Sequence, residues 1–301
     1  MRVDAHQHFW RYNHEEYGWI DDSMQALRRD FFPENLKPEL ERAGFDGSIA
    51  VQTRQNLEET RWLLQLADRD PTIFGVIGWV DLRSPNVRSE IAEFAEKQKL
   101  LGVRHIVQSE PDQGFLLQQE FLRGVSALAE FGLTYDILIY PRHLSAAAEF
   151  VGRFPEQRFV LDHAAKPPIR SRQLQPWESD LRALAKFRNV VCKVSGLATE
   201  AEWSSWTAED IIPYLDVAFE AFEADRLMFG SDWPVCTVAA SYTQVVELVQ
   251  DYLSRFSSEV SEAVFGGNAE RFWKLGAQGR DIAARGRDGV ATQVGNRQAL
   301  R

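Results

Sequence analysis

Two histidines stand one residue apart in the opening stretch, MRVDAHQHFW. Side chains two residues apart on a strand point to the same face, so His6 and His8 are predicted to stand side by side, with Asp4 in the same row. Two imidazoles at this spacing suit coordination of one metal ion or contact with one substrate. A pair of surface histidines on an edge strand is the alternative, and this stretch alone does not decide between the two.

Polar and charged side chains also follow seven further short apolar runs. In chain order, these groups are Gln52 and Arg54; Trp79 and Asp81; Arg104, His105 and Gln108; Asp136 and Tyr140; Asp162, His163 and Lys166; Lys193 and Ser195; and Asp232 and Trp233. A barrel built for stability alone has no need of histidine, arginine and aspartate at so many strand ends. Strand alternation sends only one of Arg104 and His105 inward, and we favour Arg104.

The apolar runs and the segments between them predict the elements that position these side chains. Eight β-branched, apolar runs are interpreted as strands, beginning near Val3, Phe45, Thr72, Leu100, Gly132, Arg158, Val190 and Arg226. The segments between them are amphipathic and of helical length, as in LEETRWLLQLADRD. This alternation predicts an α/β fold, a (β/α)8 TIM barrel, in which chemistry lies at the carboxyl ends of the strands. A doubly wound open sheet is the alternative, but neither G-x-G-x-x-G nor G-x-x-x-x-G-K-[ST] occurs.

Two segments fall outside the alternation. Residues from about 11 to 34 form a long first βα loop, rich in aromatic residues, which we expect to cover the mouth of the barrel. The last segment, 276–301, is rich in Gly and Arg and poor in large apolar residues, so we predict a polar C-terminal extension without a fixed structure. The predicted domain is therefore a single barrel over residues 1–275.

Composition limits the partners. The chain has 34 basic and 44 acidic residues, a net charge of −10, which argues against nucleic acid and against an anionic membrane surface. No apolar run approaches the roughly 20 residues of a membrane span. Cys192 and Cys236 lie far apart, and with no signal peptide evident they are expected to be reduced thiols in a cytoplasmic protein. A small-molecule ligand fits this composition, and a homo-oligomer stays possible.

The motifs together resemble a known family. HQHFW, LDHAAKP, KVSGL, FGSDWP and FGGNAERFWKL occur in the order found in the amidohydrolase superfamily, and they are most similar to its amidohydrolase-2-type branch. That branch includes sugar-acid lactonases of the L-fuconolactonase and L-rhamnonolactonase type. The resemblance covers roughly residues 1–275.

The resemblance implies a metal site in the barrel. It places one divalent ion, zinc being the expected one, on His6, His8 and Asp232, with His163 close by and water as the nucleophile. Binuclear members carry a bridging lysine or glutamate on the fourth strand, where this chain has Arg104 and His105, so a single metal is expected. The branch also contains lactonases that work without metal, and the requirement for metal is left open.

The expected reaction is hydrolysis of an aldonolactone to the free acid, of the L-fucono or L-rhamnono type and with a 1,5- or 1,4-ring. Asp232 would take a proton from water and return it to the ring oxygen, with His163, His6 and His8 as the other catalytic groups. The sugar would be held by Gln52, Arg54, Arg104, His105 and Lys166, and it would stack on Trp79 or Trp233. A metal-dependent decarboxylase of an unsaturated or aromatic acid is one alternative, and a non-catalytic ligand-binding barrel is another.

Overall fold

Eight parallel strands form a barrel in the computed structural model, which describes residues 1–275. They are β1 (Val3–Gln7), β2 (Gly47–Val51), β3 (Ile73–Gly78), β4 (Leu100–His105), β5 (Thr134–Ile137), β6 (Phe159–Leu161), β7 (Val190–Val194) and β8 (Leu227–Phe229). Each strand pairs with the next along the chain. The seam between β8 and β1 closes at the carboxyl end, where the His8 amide donates to the Trp233 carbonyl (2.7 Å) and the Asp232 amide to that of His6 (2.8 Å). The predicted (β/α)8 barrel is confirmed, and the open-sheet alternative is wrong.

Helices alternate with the strands and cover the barrel. They are α1 (Pro33–Ala43), α2 (Leu57–Arg69), α3 (Val87–Ala95), α4 (Gln119–Leu128), α5 (Leu144–Gly152), α6 (Trp177–Ala185), α7 (Ala208–Phe222), α8 (Tyr242–Leu253), α9 (Ser258–Glu262) and α10 (Asn268–Trp273). Their buried faces are apolar; in α2, for example, Leu63, Leu64 and Ala67 are buried. Within residues 1–275, none of the helices has the length and apolar character needed to cross a bilayer.

The barrel interior divides into an apolar lower half and a polar mouth. Val3, Ile49 and Val160 belong to a buried cluster in the lower half, which also contains Trp273 of α10. The Trp273 indole donates to the Thr134 hydroxyl (3.3 Å), so α10 closes the amino-terminal end of the barrel. The lower half of the barrel interior is thus filled by apolar packing, and the mouth at the carboxyl ends of the strands is free for chemistry.

A β-bulge in β1 decides which of its side chains reach the mouth. Asp4 pairs with Ser48 and Gln7 pairs with Ala50, so β1 carries one residue more than β2 over this stretch. Ala5 joins the apolar interior, and after the bulge His6 and His8 face the mouth. Asp4 instead accepts hydrogen bonds from the Ser231 amide (2.9 Å) and the Tyr242 hydroxyl (3.2 Å). The expectation that Asp4 shares a row with the histidines is wrong, because the bulge reverses the alternation between them.

The segment between β1 and α1 folds over the mouth. It includes a 3₁₀ helix, Asp22–Leu27, which packs against a second 3₁₀ helix, Val235–Val238, just after β8. Trp10 and Phe31 exchange backbone hydrogen bonds (3.0 and 2.9 Å) that close the segment into a loop. This loop covers the mouth of the barrel, as its position directly after β1 predicts. The predicted tail, 276–301, lies outside the described residues.

Candidate active site

Three potential metal ligands converge at the seam of the barrel. His6 and His8 extend from the end of β1, and Asp232 follows β8. Nε2 of His6 lies 3.2 Å from Nε2 of His8, and Oδ1 of Asp232 lies 3.8 Å from the first and 3.3 Å from the second. All three side chains are buried. The cluster can hold a metal ion, because its ligand atoms all lie within 4.8 Å of one another.

The hydrogen bonds of the two imidazoles fit them for that role. Nδ1 of His8 lies 2.7 Å from the Val51 carbonyl oxygen, which only accepts, so the proton of His8 is assigned to Nδ1. Nδ1 of His6 faces Oδ1 of Asp162 at 3.3 Å, which favours a proton there too. Both Nε2 atoms are then unprotonated, and they face each other and a carboxylate. That of His6 also accepts from Nη1 of Arg104 (3.3 Å), a contact that a bound metal would have to displace. This donor set, two nitrogens and one oxygen, is typical of zinc sites in which three protein ligands leave a position open.

The charges of the cluster agree with this arrangement. Burial lowers the pKa of His6 well below its usual value, so its imidazole is neutral at neutral pH. Burial alone would raise the pKa of Asp232, but the imidazoles of His163, His8 and His6 outweigh it and hold that pKa below the ordinary value. The site thus combines a neutral imidazole with an ionised carboxylate, the protonation states that metal ligands need.

His163 reaches the cluster from a strained turn after β6. Residues 163–166 all have positive φ (54°, 48°, 59° and 53°), and Asp232 has a φ of 58°. Left-handed backbone of this kind is costly for residues other than glycine and is concentrated at functional sites. The turn brings Nε2 of His163 to 3.9 Å from Oδ1 of Asp232, while Nδ1 contacts the Ser195 hydroxyl at 2.8 Å. Burial lowers the pKa of His163 to about 4, so it too is neutral at neutral pH.

A buried ion network lies beneath the histidines. Asp162 accepts from Nη1 of Arg104 (2.9 Å) and pairs with Nζ of Lys193 (3.0 Å), which also pairs with Asp136 (2.6 Å). Burial would raise the pKa of Asp162, but Lys193, His6 and Arg104 keep it well below its usual value. Nη1 of Arg104 also lies 3.3 Å from Nε2 of His6. The network fixes His6 from below. Of the two candidates on the fourth strand, Arg104 is the one that reaches the site.

A pocket of about 450 Å³ opens above the cluster, a volume that suits a small ligand. It is lined by His8, Trp19, Met24, Thr53, Arg104, Ile106, Gln108, Ser109, Leu138, Tyr140, His163, Lys166, Thr199, Glu200, Trp203, Asp232, Val235 and Val238. Lys166 lies 3.3 Å from Glu200 across the wall. His6 is fully buried under the floor.

The structure brings Arg104 and Lys166 to the pocket but places the other predicted sugar contacts elsewhere. Gln52 lies beneath, where its side-chain amide donates to the Arg104 backbone carbonyl (3.0 Å) and its own backbone carbonyl accepts from the Arg104 guanidinium. Arg54 pairs with Glu16 (2.5 Å) of the first loop. These two residues position neighbours, and neither lines the pocket.

Three aromatic or histidine side chains predicted to hold the sugar also lie outside the pocket. His105 stacks on Phe115 (4.7 Å between ring centres), because Arg104 takes the inward position and alternation turns its neighbour outward. Trp233 packs edge-on against Phe31 under the first loop (5.2 Å). Trp79 is half-buried and does not line the pocket. The expected stacking of a sugar on Trp79 or Trp233 is therefore wrong.

Sequence reasoning missed most of the wall. Glu200 and Trp203 belong to the loop after β7, and Trp19 and Met24 to the first loop, where no periodicity marks an inward position. The Trp203 indole donates to the Thr199 carbonyl (2.8 Å), which fixes its ring. Trp19 is 42% exposed, and exposure of a large apolar side chain is a sign of a binding site that can be seen only once the fold is known.

Comparison with known proteins places the chain in a family. The amidohydrolase family model matches residues 3–275. The chain belongs to the amidohydrolase family. An L-fucono-1,5-lactonase of Burkholderia multivorans is 42% identical over 286 residues, covering 91% of this chain and 96% of the relative. An L-fucono-1,5-lactonase of Burkholderia ambifaria is 37% identical over 282 residues, with the same two coverages.

A solved amidohydrolase structure extends the comparison to the whole barrel. A crystal structure of an amidohydrolase from Burkholderia multivorans with bound zinc has a TM-score of 0.88 and 43% identity, covering 91% of this chain and 99% of the other. The membership of the amidohydrolase family that the sequence motifs predict is thus confirmed, and so is the predicted barrel.

Proposed function

We propose that this amidohydrolase hydrolyses the ring ester of a six-carbon sugar-acid 1,5-lactone of the L-fucono type. The observation that carries the proposal is that relatives 42% and 37% identical over 91% of the chain are L-fucono-1,5-lactonases. The site supports it, since His6, His8 and Asp232 lie below a pocket with the size and polarity for a sugar lactone. The proposed partner is therefore a small molecule.

The reaction needs a proton acceptor and a proton donor at one place. Water adds to the carbonyl carbon and gives a proton to the Asp232 carboxylate. The bond between that carbon and the ring oxygen then breaks, and the departing alkoxide takes a proton back. Ionised Asp232 suits the first step because its pKa is held low. The acid product then ionises and releases one proton to solvent, which makes the reaction measurable.

His6, His8 and Asp232 are the residues that would hold a single zinc ion. When bound, it would polarise the lactone carbonyl and lower the pKa of a water molecule. The residues of the chain do the rest: Asp162 orients the His6 ring from one side, and the Val51 carbonyl orients that of His8. His163, held by Ser195, lies beside Asp232 and limits the space in which water can approach it.

The hydroxyl groups of the sugar have matching partners in the walls. Lys166 supplies donors, and Glu200 supplies acceptors. Gln108 lines the pocket, and its side-chain amide can both donate to and accept from a ligand hydroxyl. Tyr140 lines the same side of the pocket.

The geometry disfavours the two alternatives. A decarboxylase needs a cation for the carboxylate of its substrate, but in the pocket the charge of Arg104 is already balanced by Asp162 and that of Lys166 by Glu200, and Arg54 lies outside the pocket. A non-catalytic binding barrel has no use for the convergence of His6, His8 and Asp232.

Cys192 and Cys236 are free and buried, which supports the cytoplasm as the proposed compartment.

The test is acid release from a panel of aldonolactones, followed with a pH indicator. Protein as purified, protein after chelation and protein reloaded with zinc are compared. We expect rapid release from L-fucono-1,5-lactone, and the chelated sample shows how much of the rate requires metal. Absence of release from every lactone by the zinc-loaded protein would contradict the proposal, and release of carbon dioxide from an aromatic acid would favour the decarboxylase.

A further inference from the structure

We propose that Met24, Val235 and Val238 form a subsite for the C6 methyl group of a 6-deoxy sugar lactone, and that this apolar wall sets the preference for 6-deoxy substrates. The inference rests on the proposed function and goes beyond it, because it names the residues that recognise one carbon of the substrate. It begins with an apolar surface that faces the pocket and is only partly covered.

The wall is built from two packed 3₁₀ helices. Val235 and Val238 are the first and last residues of Val235–Val238, and side chains three apart on a 3₁₀ helix eclipse, so they share one face. Met24 comes from Asp22–Leu27, which packs against that helix. All three side chains are partly exposed, and all three line the pocket. Apolar side chains left facing a pocket are typical of ligand contact.

The wall is next to the reacting group. The Cys236 amide donates to the Asp232 carbonyl (2.8 Å), and this bond connects the start of the 3₁₀ helix Val235–Val238 to the proposed proton acceptor. In a 1,5-lactone, the carbon that bears the methyl group is bonded to the ring oxygen, and the ring oxygen is bonded to the carbonyl carbon. A carbonyl carbon placed for attack beside Asp232 therefore brings C6 within reach of whatever lies next to Asp232. Val235 follows Asp232 by three residues and lines the same pocket, and it is the apolar residue we assign to C6.

The remaining wall fixes the orientation of the ring. Gln108, Tyr140, Lys166 and Glu200 follow β4, β5, β6 and β7, whereas the apolar wall follows β8 and β1. The hydroxyl groups on C2, C3 and C4 find partners on the first side, and they find none among the valines and the methionine. Ile106 and Leu138 also line the side after β4 and β5, so that side is mixed. The side chains of the apolar wall differ in offering no hydrogen-bond partner, which matches a 6-deoxy lactone with hydroxyls on one part of the ring and a methyl group on the other.

Three lactones that differ only at C6 test the subsite. L-fucono-, L-galactono- and D-arabinono-1,5-lactone share the configuration of C2, C3 and C4 and carry a methyl group, a hydroxymethyl group and hydrogen at that position. We expect kcat/KM of the wild type to fall about 10-fold or more when the methyl group is lost, the usual range for one carbon in an apolar pocket. Equal kcat/KM values for all three lactones would overturn the subsite.

Substitutions assign the effect to the wall. Val235→Thr and Met24→Gln keep the size of the side chain and add polarity. We therefore expect each to lower the ratio of kcat/KM for L-fucono-1,5-lactone to kcat/KM for L-galactono-1,5-lactone by about 5-fold or more. Gln108→Ala is the matched control, because it acts on hydroxyls common to all three lactones and should lower every kcat/KM by a similar factor. Wall variants that behave like this control would overturn the assignment.

Binding of the three free acids to the wild type, measured by calorimetry, separates the subsite from the activity. If L-fuconate binds more tightly than L-galactonate and D-arabinonate although no lactone is hydrolysed, the subsite is supported and the proposed function fails. If the lactones are hydrolysed but neither binding nor kcat/KM depends on C6, the proposed function stands and the subsite is wrong.

Discussion

Asp232 is the carboxylate that faces His6, His8 and His163 together. Asparagine keeps the size of this side chain and tolerates the left-handed backbone at φ 58°, so Asp232→Asn removes the proton acceptor with little change to the fold. We expect lactone turnover to fall by about 100-fold or more, the lower end of the range for general acid–base groups. Initial rates from acid release and the Tm measure the two effects, and Asp251→Asn on the exposed face of α8 is the control. A variant with near wild-type turnover would remove Asp232 from the mechanism.

Glu200 gives the pocket a pH dependence. Burial raises its pKa above the ordinary 4.5, although Lys166 opposes the shift. As the pH falls, Glu200 therefore takes up a proton earlier than an exposed glutamate, and its negative charge and its acceptors for sugar hydroxyls are lost. We expect KM for the lactone to rise on acidification with a midpoint above 4.5.

The matched variant for this pH effect is Glu200→Gln, which should show a high KM with no acid limb between about pH 5 and 7, above the pKa of about 4 of His163. Glu209→Gln, an exposed residue in the first turn of α7, should keep the wild-type profile. An unchanged acid limb in Glu200→Gln would assign the titration to another group.

At this scale, sequence reasoning found the residues that share a motif and missed those that do not. His6, His8, Asp232 and His163 stand at strand ends, where the (β/α)8 pattern predicts the inward direction. Trp233 follows Asp232 directly, yet it packs under the first loop. Which of two adjacent side chains enters the lumen depends on bulges and loops, and the spacing of residue types does not report them.

At the scale of elements, the seam between β8 and β1 holds the metal ligands together. A Cβ at Gly230 would lie 2.6 Å from Cβ of His6 and 3.1 Å from that of Ser195. Gly230→Ala should therefore push the end of β1 away, at a cost of about 1–3 kcal/mol for overpacking. We expect a lower Tm, weaker zinc binding and a loss of turnover.

Calorimetric zinc titration and thermal unfolding check the seam prediction. Gly18→Ala is a suitable control, because the nearest atom to its new Cβ would be the His14 carbonyl oxygen at an ordinary 3.9 Å. Wild-type zinc affinity in Gly230→Ala would show that the seam adapts without moving His6.

The elements themselves were well predicted, and their irregularities were not. All eight strands follow from apolar runs bounded by polar segments, since strands buried on both faces read that way. The bulge after Asp4 and the left-handed turn at 163–166 leave no mark of composition, and the turn contains two alanines where glycine would be expected. Both irregularities orient side chains that we propose to be catalytic, and local rules are expected to fail at such sites.

At the scale of the molecule, the barrel keeps its apolar lower half apart from its site. Ala269 and Trp273 of α10, with Leu275, complete the apolar cluster around Val3. The motif FGGNAERFWKL, noted in the sequence as part of the family resemblance, thus serves as the plug of the barrel. Removing the plug would expose the interior, since burial of a large aromatic side chain alone is worth about 3–5 kcal/mol and a whole domain is stable by about 5–15 kcal/mol.

The position of the plug predicts where the chain can be shortened. A protein ending at Leu275 retains every residue that lines the pocket, every strand and α10, and the family model also ends at 275. We expect it to keep its kcat/KM within about twofold and its Tm within a few degrees, the range of a change worth about 0.5 kcal/mol, because it loses no described strand, helix or pocket residue. A protein ending at Gly267 lacks α10 and should be insoluble or unfolded, which circular dichroism and solubility report. If the protein ending at Leu275 lost activity while keeping its Tm, residues 276–301 would have a part in catalysis; if it lost both, they would contribute to the stability of the barrel.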